Sequence, residues 1–431
     1  MTAPEGGQAA LRKAGRRARR LDARDPLAPF LGRFAPVPEG RLHLDGGSLG
    51  RLPAATPALL DRVVRGDRGG RLTPVGTQWR DLPQRIGDRM AETVLGARPG
   101  EVVAGDSTDV NLHKLTVAAL AARRGRRTVV VDDDNSPTDR DVVAGVAAEQ
   151  ERALRTVHTH PDAGLDMETL RAAVDEDVAV VVLPLVSPRS GALLDMAEVH
   201  EIAHAQGALV LWDLSHAVGA VDLQLTATGA DMAVAATYRH LMAGPGCPAL
   251  LYVRRELQPC AGQPVDGGYG HREQLAMRPR YDPDPAVRRF PTGTPPALSL
   301  VAAEPALDLL AEAGMAAVHA KSRALTGFLA ELAGAVLEPC GLRPAGPAVP
   351  ERRGAHVAYR HPQAGKLVPA LAEAELFVDF LPPDRVRLSP GPLSTRFADV
   401  VEAVRRFREV LAGFGADGSR CPSAGAYRRG P

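Results

Sequence analysis

The sequence predicts an α/β fold: a mostly parallel central sheet sandwiched by helices, followed by a smaller C-terminal α+β domain. Three observations predict it. Short, Val-rich apolar runs at 128–131, 178–186, 208–212, 232–236 and 250–253 have the length and composition of buried strands. Helical periods at 166–174 and 196–206 fall between some of them, and alternation of this kind lays strands parallel with helices on both faces. A chain of 431 residues is also longer than one core usually fills, since domains run to about 50–250 residues.

Taken in order, residues 1–28 carry Leu11-Arg12-Lys13 and Arg16-Arg17-Ala18-Arg19-Arg20 in a Gly/Ala background and read as a disordered basic arm. Residues 29–80 read as an N-terminal segment packing on the small domain, with Trp79 a core anchor or the wall of a binding cleft. The large domain, 81–296, opens on Leu82, Ile86, Met90 and Val94, which share one helical face. Gly105 to Asn111 then leads into a helix that runs to Ala122. Ser107 and Thr108 stand where hydroxyl side chains cap a helix, and such a terminus also binds phosphate. The Pro-rich stretch 281–296 closes the domain. Helical patterns at 298–313 and 316–333, a strand pattern at 385–388, the loop SPGPLSTRF and a helix at 398–411 make a small domain over 297–413. Residues 414–431 read as a disordered tail.

Composition narrows the function classes. A formal net charge of +1 and 45% hydrophobic residues describe an ordinary globular protein, with neither nucleic acid nor membrane as partner. There is no apolar run of about 18 residues and no signal-peptide core, which points to the cytoplasm. Cys247, Cys260, Cys340 and Cys421 lack CxxC spacing, so zinc ribbons and dense disulfides are not expected. Only four lysines stand beside 48 arginines, the usage of a GC-rich bacterium. His200-Glu201-Ile202-Ala203-His204 matches the HExxH zinc motif. Here Val199, Ile202 and Ala203 are expected to face the sheet, leaving both histidines and Glu201 to solvent without a third ligand. No metal is expected. His158-Thr159-His160 reads as a loop pair.

The chemistry concentrates in 208–249, ALVLWDLSHAVGAVDLQLTATGADMAVAATYRHLMAGPGCPA. Asp213 and Tyr238-Arg239-His240 fall at the carboxyl ends of predicted strands, where ligands of open α/β sheets gather. Around them lie LDGGSLGRLP, WRDLPQRIGDRM, GDSTDVNLHK, SPTDRD, GTPPALSL and RLSPGPLSTRF. These segments, in this order, resemble the kynureninases, members of the aspartate-aminotransferase (fold type I) superfamily, from about Arg41 to Leu411.

The resemblance implies pyridoxal phosphate as electron sink, hydrolytic cleavage of kynurenine to anthranilate and alanine, and a cytoplasmic homodimer whose subunits share the active site. By position it implies Asp213 as partner of the pyridine nitrogen and Ser107 and Thr108 at the phosphate. It puts Asp139 and His216 beside the ring, Tyr238 on the phosphate and Arg387 on the substrate carboxylate. Trp79, Ser48, Tyr269 and Thr294 would line the substrate, with the Gly267–Gly270 turn and Thr294 coming from the partner subunit.

Four positions depart from the family pattern. Arg239 stands in place of the imine-forming lysine, and a guanidinium is not an amine nucleophile. Ser136 replaces the stacking aromatic, Gly268 a phosphate-holding Trp, and Gly47 an Asn. Lys114 has a lysine counterpart in the family and reads as structural, whereas His240 lies one residue beyond the lysine position. The expectation is an enzyme with no covalently bound cofactor. Arg239, His216 and Asp213 would be its catalytic groups, and its substrate a small amino-acid-like or aryl carboxylate molecule. Two alternatives stay open: a non-catalytic binding or regulatory protein, and an enzyme holding pyridoxal or pyridoxamine phosphate non-covalently in a pocket of Ser107, Thr108, Ser136, Asp139, Tyr238, His240 and Gly268.

Overall fold

Thirteen short strands are found among the residues that the computed structural model describes: 3–70, 79–274, 276 and 278–414. The first eight are β1 (Leu42–His43), β2 (Val102–Ala104), β3 (Thr128–Asp132), β4 (Ala153–Val157), β5 (Val178–Pro184), β6 (Leu209–Asp213), β7 (Met232–Ala235) and β8 (Leu250–Val253). Seven of them form one sheet in the order β2-β8-β7-β6-β5-β3-β4, in which β8 alone runs antiparallel to its neighbours. β5 to β8 are buried along their whole length, because helices cover both faces and a strand so covered must be apolar throughout. β4, at the sheet edge, is largely exposed and carries Arg155, and its weak apolar pattern left it unpredicted.

The small domain holds β9 (Arg343–Pro344), β10 (Val357–Arg360), β11 (Leu376–Phe377), β12 (Asp379–Leu381) and β13 (Arg385–Leu388). Four strands form an antiparallel sheet in the order β12-β13-β10-β9, and β1 pairs with β11. The 22-residue helix Met315–Val336 belongs to both domains. Its Met315 and Val318 lie in the large-domain core and Leu325 to Val336 in the small-domain core. The expected boundary at 297 is therefore corrected. Residues 297–318 pack on the large domain, with Leu300, Leu307 and Leu310 fully buried there. Pro305, at the start of Glu304–Ala313, splits the single helix expected at 298–313 from Ala297–Val301.

A second correction concerns the N-terminus. Residues Ala3–Asp22 form a 20-residue helix rather than a disordered arm. Alanine favours helix, and Ala10, Leu11, Ala14, Ala18 and Leu21 recur at helical spacing and pack on the small-domain core. Its last residue ties down another element: the Asp22 carboxylate accepts from the N–H groups of Phe397 (2.7 Å) and Ala398 (3.0 Å), at the start of helix Phe397–Leu411. The described residues of the segment expected over 29–80 straddle the domains, since Phe30, Phe34 and Val63 enter the large core while Leu44 enters the small one. The tail expected over 414–431 lies outside the described residues beyond Phe414.

His200 is likewise corrected. It is buried, accepts from Trp212 Nε1 (2.9 Å) through Nε2 and donates from Nδ1 to the Thr228 carbonyl (2.8 Å), a neutral core histidine. His204 pairs with Asp231 at 2.7 Å. Among the described residues no helix is long and apolar enough to cross a membrane.

Candidate active site

The carboxyl ends of β6 and β7 bring the central residues together. Asp213 ends β6 and is held by the Ser215 N–H at 2.8 Å. Asp139, in the first turn of the helix Pro137–Glu149 that follows β3, lies beside it. Burial pushes both carboxyls above the ordinary range. Asp139 rises to about 9, first through burial and then through the negative charge of Asp213 beside it, so the pair resists giving up its last proton.

Three histidines gather nearby. His216 follows the turn after β6, His240 the turn after β7, and His356 lies just before β10. The rings of His216 and His356 meet edge to face, with centroids 5.8 Å apart. His216 Nδ1 and both ring nitrogens of His240 and His356 are buried without a protein partner. Burial keeps all three neutral: His240 falls to about 3, helped by Arg387 and Arg239, and His216 and His356 fall well below the usual imidazole value.

Two guanidinium groups converge on one dipeptide. Arg239 donates to the Gly47 carbonyl and lies 5.3 Å over the Tyr238 ring. Arg387 donates to Ser48 Oγ (3.2 Å), to the Pro188 carbonyl (2.9 Å) and to Asp379 (2.5 Å). Arg387, expected on the substrate carboxylate, is already paired with Asp379 here. Both Nε atoms remain buried without a partner. Glycine at 47 makes room for this arrangement: a Cβ there would stand 2.5 Å from Ser389 Oγ and 3.7 Å from Arg387 Cζ. Asp45 completes the group. Its carboxyl is raised to about 6, mainly by burial and against the pull of Ser48, Arg387 and Arg239, and one of its oxygens has no partner.

The other expected residues sit further out. Ser107 is exposed and caps helix Thr108–Ala122 by accepting from Val110 N–H at 3.3 Å, with Thr108 as the first helical residue. Ser136 is partly buried at the start of helix Pro137–Glu149 and makes no side-chain cap. Trp79 is partly buried in the turn before helix Leu82–Met90. Gly268 and Thr294 are exposed and Tyr269 is partly so.

Lys114 is buried and fixed to Asp106 and the Phe290 carbonyl, each at 2.7 Å. Lys321 is fixed to Asp25, whereas Lys13 and Lys366 are exposed on outer helices.

Asp45, His356 and Asp379 escaped the sequence reading. Asp379 was legible in principle: VDFLPPDRVR reads as a hairpin around Pro-Pro, and its register sets Asp379 opposite Arg387. His356 had no such signal, for its strand approaches the site only through domain packing.

The comparisons agree with this architecture. The chain matches the Aminotransferase class-V family over residues 104–359 and the Kynureninase C-terminal domain over 318–407. It is 38% identical to the kynureninase of Pseudomonas fluorescens, covering 91% of this chain and 94% of that one. Identity to the kynureninase of Burkholderia pseudomallei (strain 1106a) is 37% at the same coverage. Among solved structures, the apo cysteine desulfurase of Thermococcus onnurineus NA1 shares the fold, with a TM-score of 0.76 at 18% identity over 89% of this chain and 98% of that one. With this sheet and near-full-length similarity, the chain belongs to the kynureninase family, a branch of the class-V aminotransferases of fold type I.

Proposed function

We propose that this chain is a kynureninase-family enzyme that has given up the covalent lysine–cofactor link and acts on an amino-acid-like or aryl carboxylate substrate without pyridoxal phosphate. The family binds pyridoxal phosphate, usually through a lysine. Part of the site still matches that cofactor: a buried carboxylate for the pyridine nitrogen, and the N-terminus of a 15-residue helix with Ser107 and Thr108 for the phosphate. Ser136 and Gly268, however, stand where the family stacks on the ring and holds the phosphate. The site does not fit its covalent attachment. The observation that carries the reading is Arg239, which reaches the Gly47 carbonyl, while each of the four lysines is either locked in a structural contact or exposed on an outer helix.

In this reading Arg239 and Arg387 bracket a substrate carboxylate at the Gly47–Ser48 segment. A planar oxyanion would satisfy their unpartnered Nε groups. His216, neutral and with a free Nδ1, accepts a hydrogen bond from the substrate and orients it without becoming charged, and the Asp139–Asp213 pair is the group that carries a proton at the site. The positive charge of Arg239 opposes build-up of charge on His216 and stabilises an oxyanion instead. As a family member the chain is expected to dimerise, with Tyr269 and Thr294 offered to the partner's pocket.

The test is spectroscopic and needs no substrate. Protein purified from cells supplied with pyridoxine should show no visible cofactor band, and borohydride followed by peptide mapping should modify no lysine. A lysine carrying reduced cofactor would sink the proposal. Kynurenine should not be cleaved. Anthranilate or benzoate should bind in calorimetry, and Arg239→Ala should weaken that binding about tenfold or more, the scale of one lost charged hydrogen bond.

A second reading is favoured by the retained Asp213 and the capped helix N-terminus: pyridoxal or pyridoxamine phosphate held without a covalent bond, where it would supply an electron sink. Cofactor that stays through gel filtration, is lost in Asp213→Ala and cannot be fixed by borohydride would select it.

A further inference from the structure

We propose that the outer face of the N-terminal helix is a docking surface for an acidic helix of a partner protein. Arg12, Lys13, Arg16, Arg19 and Arg20 are all exposed, and at 3.6 residues per turn they share a sector of about 120°. That sector lies opposite the Ala10, Ala14, Ala18 and Leu21 stripe packed on the small domain. From Arg12 to Arg20 the row is about 12 Å long, two turns of helix.

None of these five cations forms an ion pair among the described residues, although arginines elsewhere on the surface regularly do. Arg33 pairs with Glu312, Arg85 with Glu304, Arg278 with Glu273 and Arg323 with Glu351. The helix dipole accounts for Arg19 and Arg20 in the last turn, but not for Arg12, Lys13 and Arg16 further up. Arg12, Arg16 and Arg20 follow one another at i, i+4 and repel. An opposing row of carboxylates relieves that repulsion.

The surroundings select the kind of partner. The two helices against which this one packs, Met315–Val336 and Phe397–Leu411, carry the exposed carboxylates Glu331 and Glu409, paired with Arg17 and Arg405. The strip is thus flanked by helices of mixed charge, whose arginines Arg323, Arg405 and Arg406 are already paired with Glu351, Glu402 and Glu409. A duplex or a bilayer surface is broader and would set phosphates against those acids. The apolar stripe is already buried, so the helix has nothing to insert into a membrane. The strip also lacks the aromatic side chains on which single-stranded bases stack. A partner helix with acidic residues at matching spacing fits the length and the width.

The experiment uses the full chain and a labelled Glu-rich helical peptide in fluorescence anisotropy. Wild type should bind the peptide, more weakly as salt is raised. Arg12→Gln/Arg16→Gln/Arg20→Gln should bind about tenfold more weakly, the scale of three exposed charge pairs. Its circular dichroism and melting temperature should match wild type, because the changed side chains are exposed and Gln keeps helix propensity. A second variant, Lys13→Gln/Arg19→Gln, should weaken binding in the same direction, whereas Arg62→Gln/Arg124→Gln should leave it unchanged. Equal binding by wild type and both strip variants would overturn the proposal. So would tighter binding of duplex DNA or phosphatidylserine vesicles than of the peptide, or a change of oligomeric state in the strip variants, which would assign the face to phosphate or to a second copy of the chain.

Discussion

Burial sets the protonation of the candidate site residue by residue, and this has a measurable consequence. His43 is lowered to about 4 and His240 to about 3, mainly by desolvation, and His216 and His356 fall in the same direction. A histidine whose folded value is depressed contributes stability that is present above its unfolded value, about 6.5, and is lost as pH falls through the folded one. Asp139 and Asp132, raised by burial to about 9 and about 7, act the other way. Their contribution is complete below the unfolded value of about 4 and is lost as pH rises through 7 and 9. Maximum stability is therefore expected near pH 6–7. Urea midpoints should decline on both sides, and Asp139→Asn should flatten the alkaline side. An alkaline decline unchanged by that variant would show that Asp139 is not its source. The same scale explains why Arg239→Lys alone is not expected to give kynurenine cleavage. It supplies an amine, but Gly47, Ser136 and Gly268 remain, and a side chain at 47 would displace Ser389.

Among the elements, two contacts near the N-terminus carry more weight than their sequence suggests. Asp22 caps a helix nearly four hundred residues away, so Asp22→Ala should cost about 1–2 kcal/mol in urea denaturation. Asp25 and Lys321 are 2.6 Å apart with side chains only 4% and 8% exposed. Asp25→Ala strands a buried ammonium and is expected to cost about 3–5 kcal/mol, a loss that Asp25→Ala/Lys321→Met should largely recover. If the single variant unfolds at the wild-type midpoint, the pair is not formed in solution. The large-sheet strands other than β2 and β4 were legible because strands covered on both faces are apolar throughout. The N-terminal helix was not, because its Arg-, Ala- and Gly-rich composition reads as disorder until a packing partner for its alanine stripe is known.

For the whole molecule, the division between domains runs through the middle of one helix, so the large and small cores share a rigid element. The candidate site draws its side chains from both. Asp213, His216 and Arg239 come from the large domain, His356, Asp379 and Arg387 from the small one, and Gly47 and Ser48 from the segment that straddles them. Tyr269 and Thr294 are accessible on a single chain. If they complete a partner's pocket, anthranilate affinity should fall on dilution to monomer, a coupling that sedimentation and calorimetry together would reveal. Affinity independent of oligomeric state would confine the site to one chain.

The sequence by itself determined five strands of the large sheet and the helices at 166–174 and 196–206 between some of them, because those depend on local periodicity. It also determined the presence of Asp213, His216, Tyr238 and Arg239 at strand ends. Only the tertiary structure decided that Arg239 turns toward Gly47, that Asp379 already holds Arg387, that Asp139 is buried beside Asp213 and that His356 joins His216. These facts depend on distances between elements far apart in the chain, and on how much water those elements exclude when they meet.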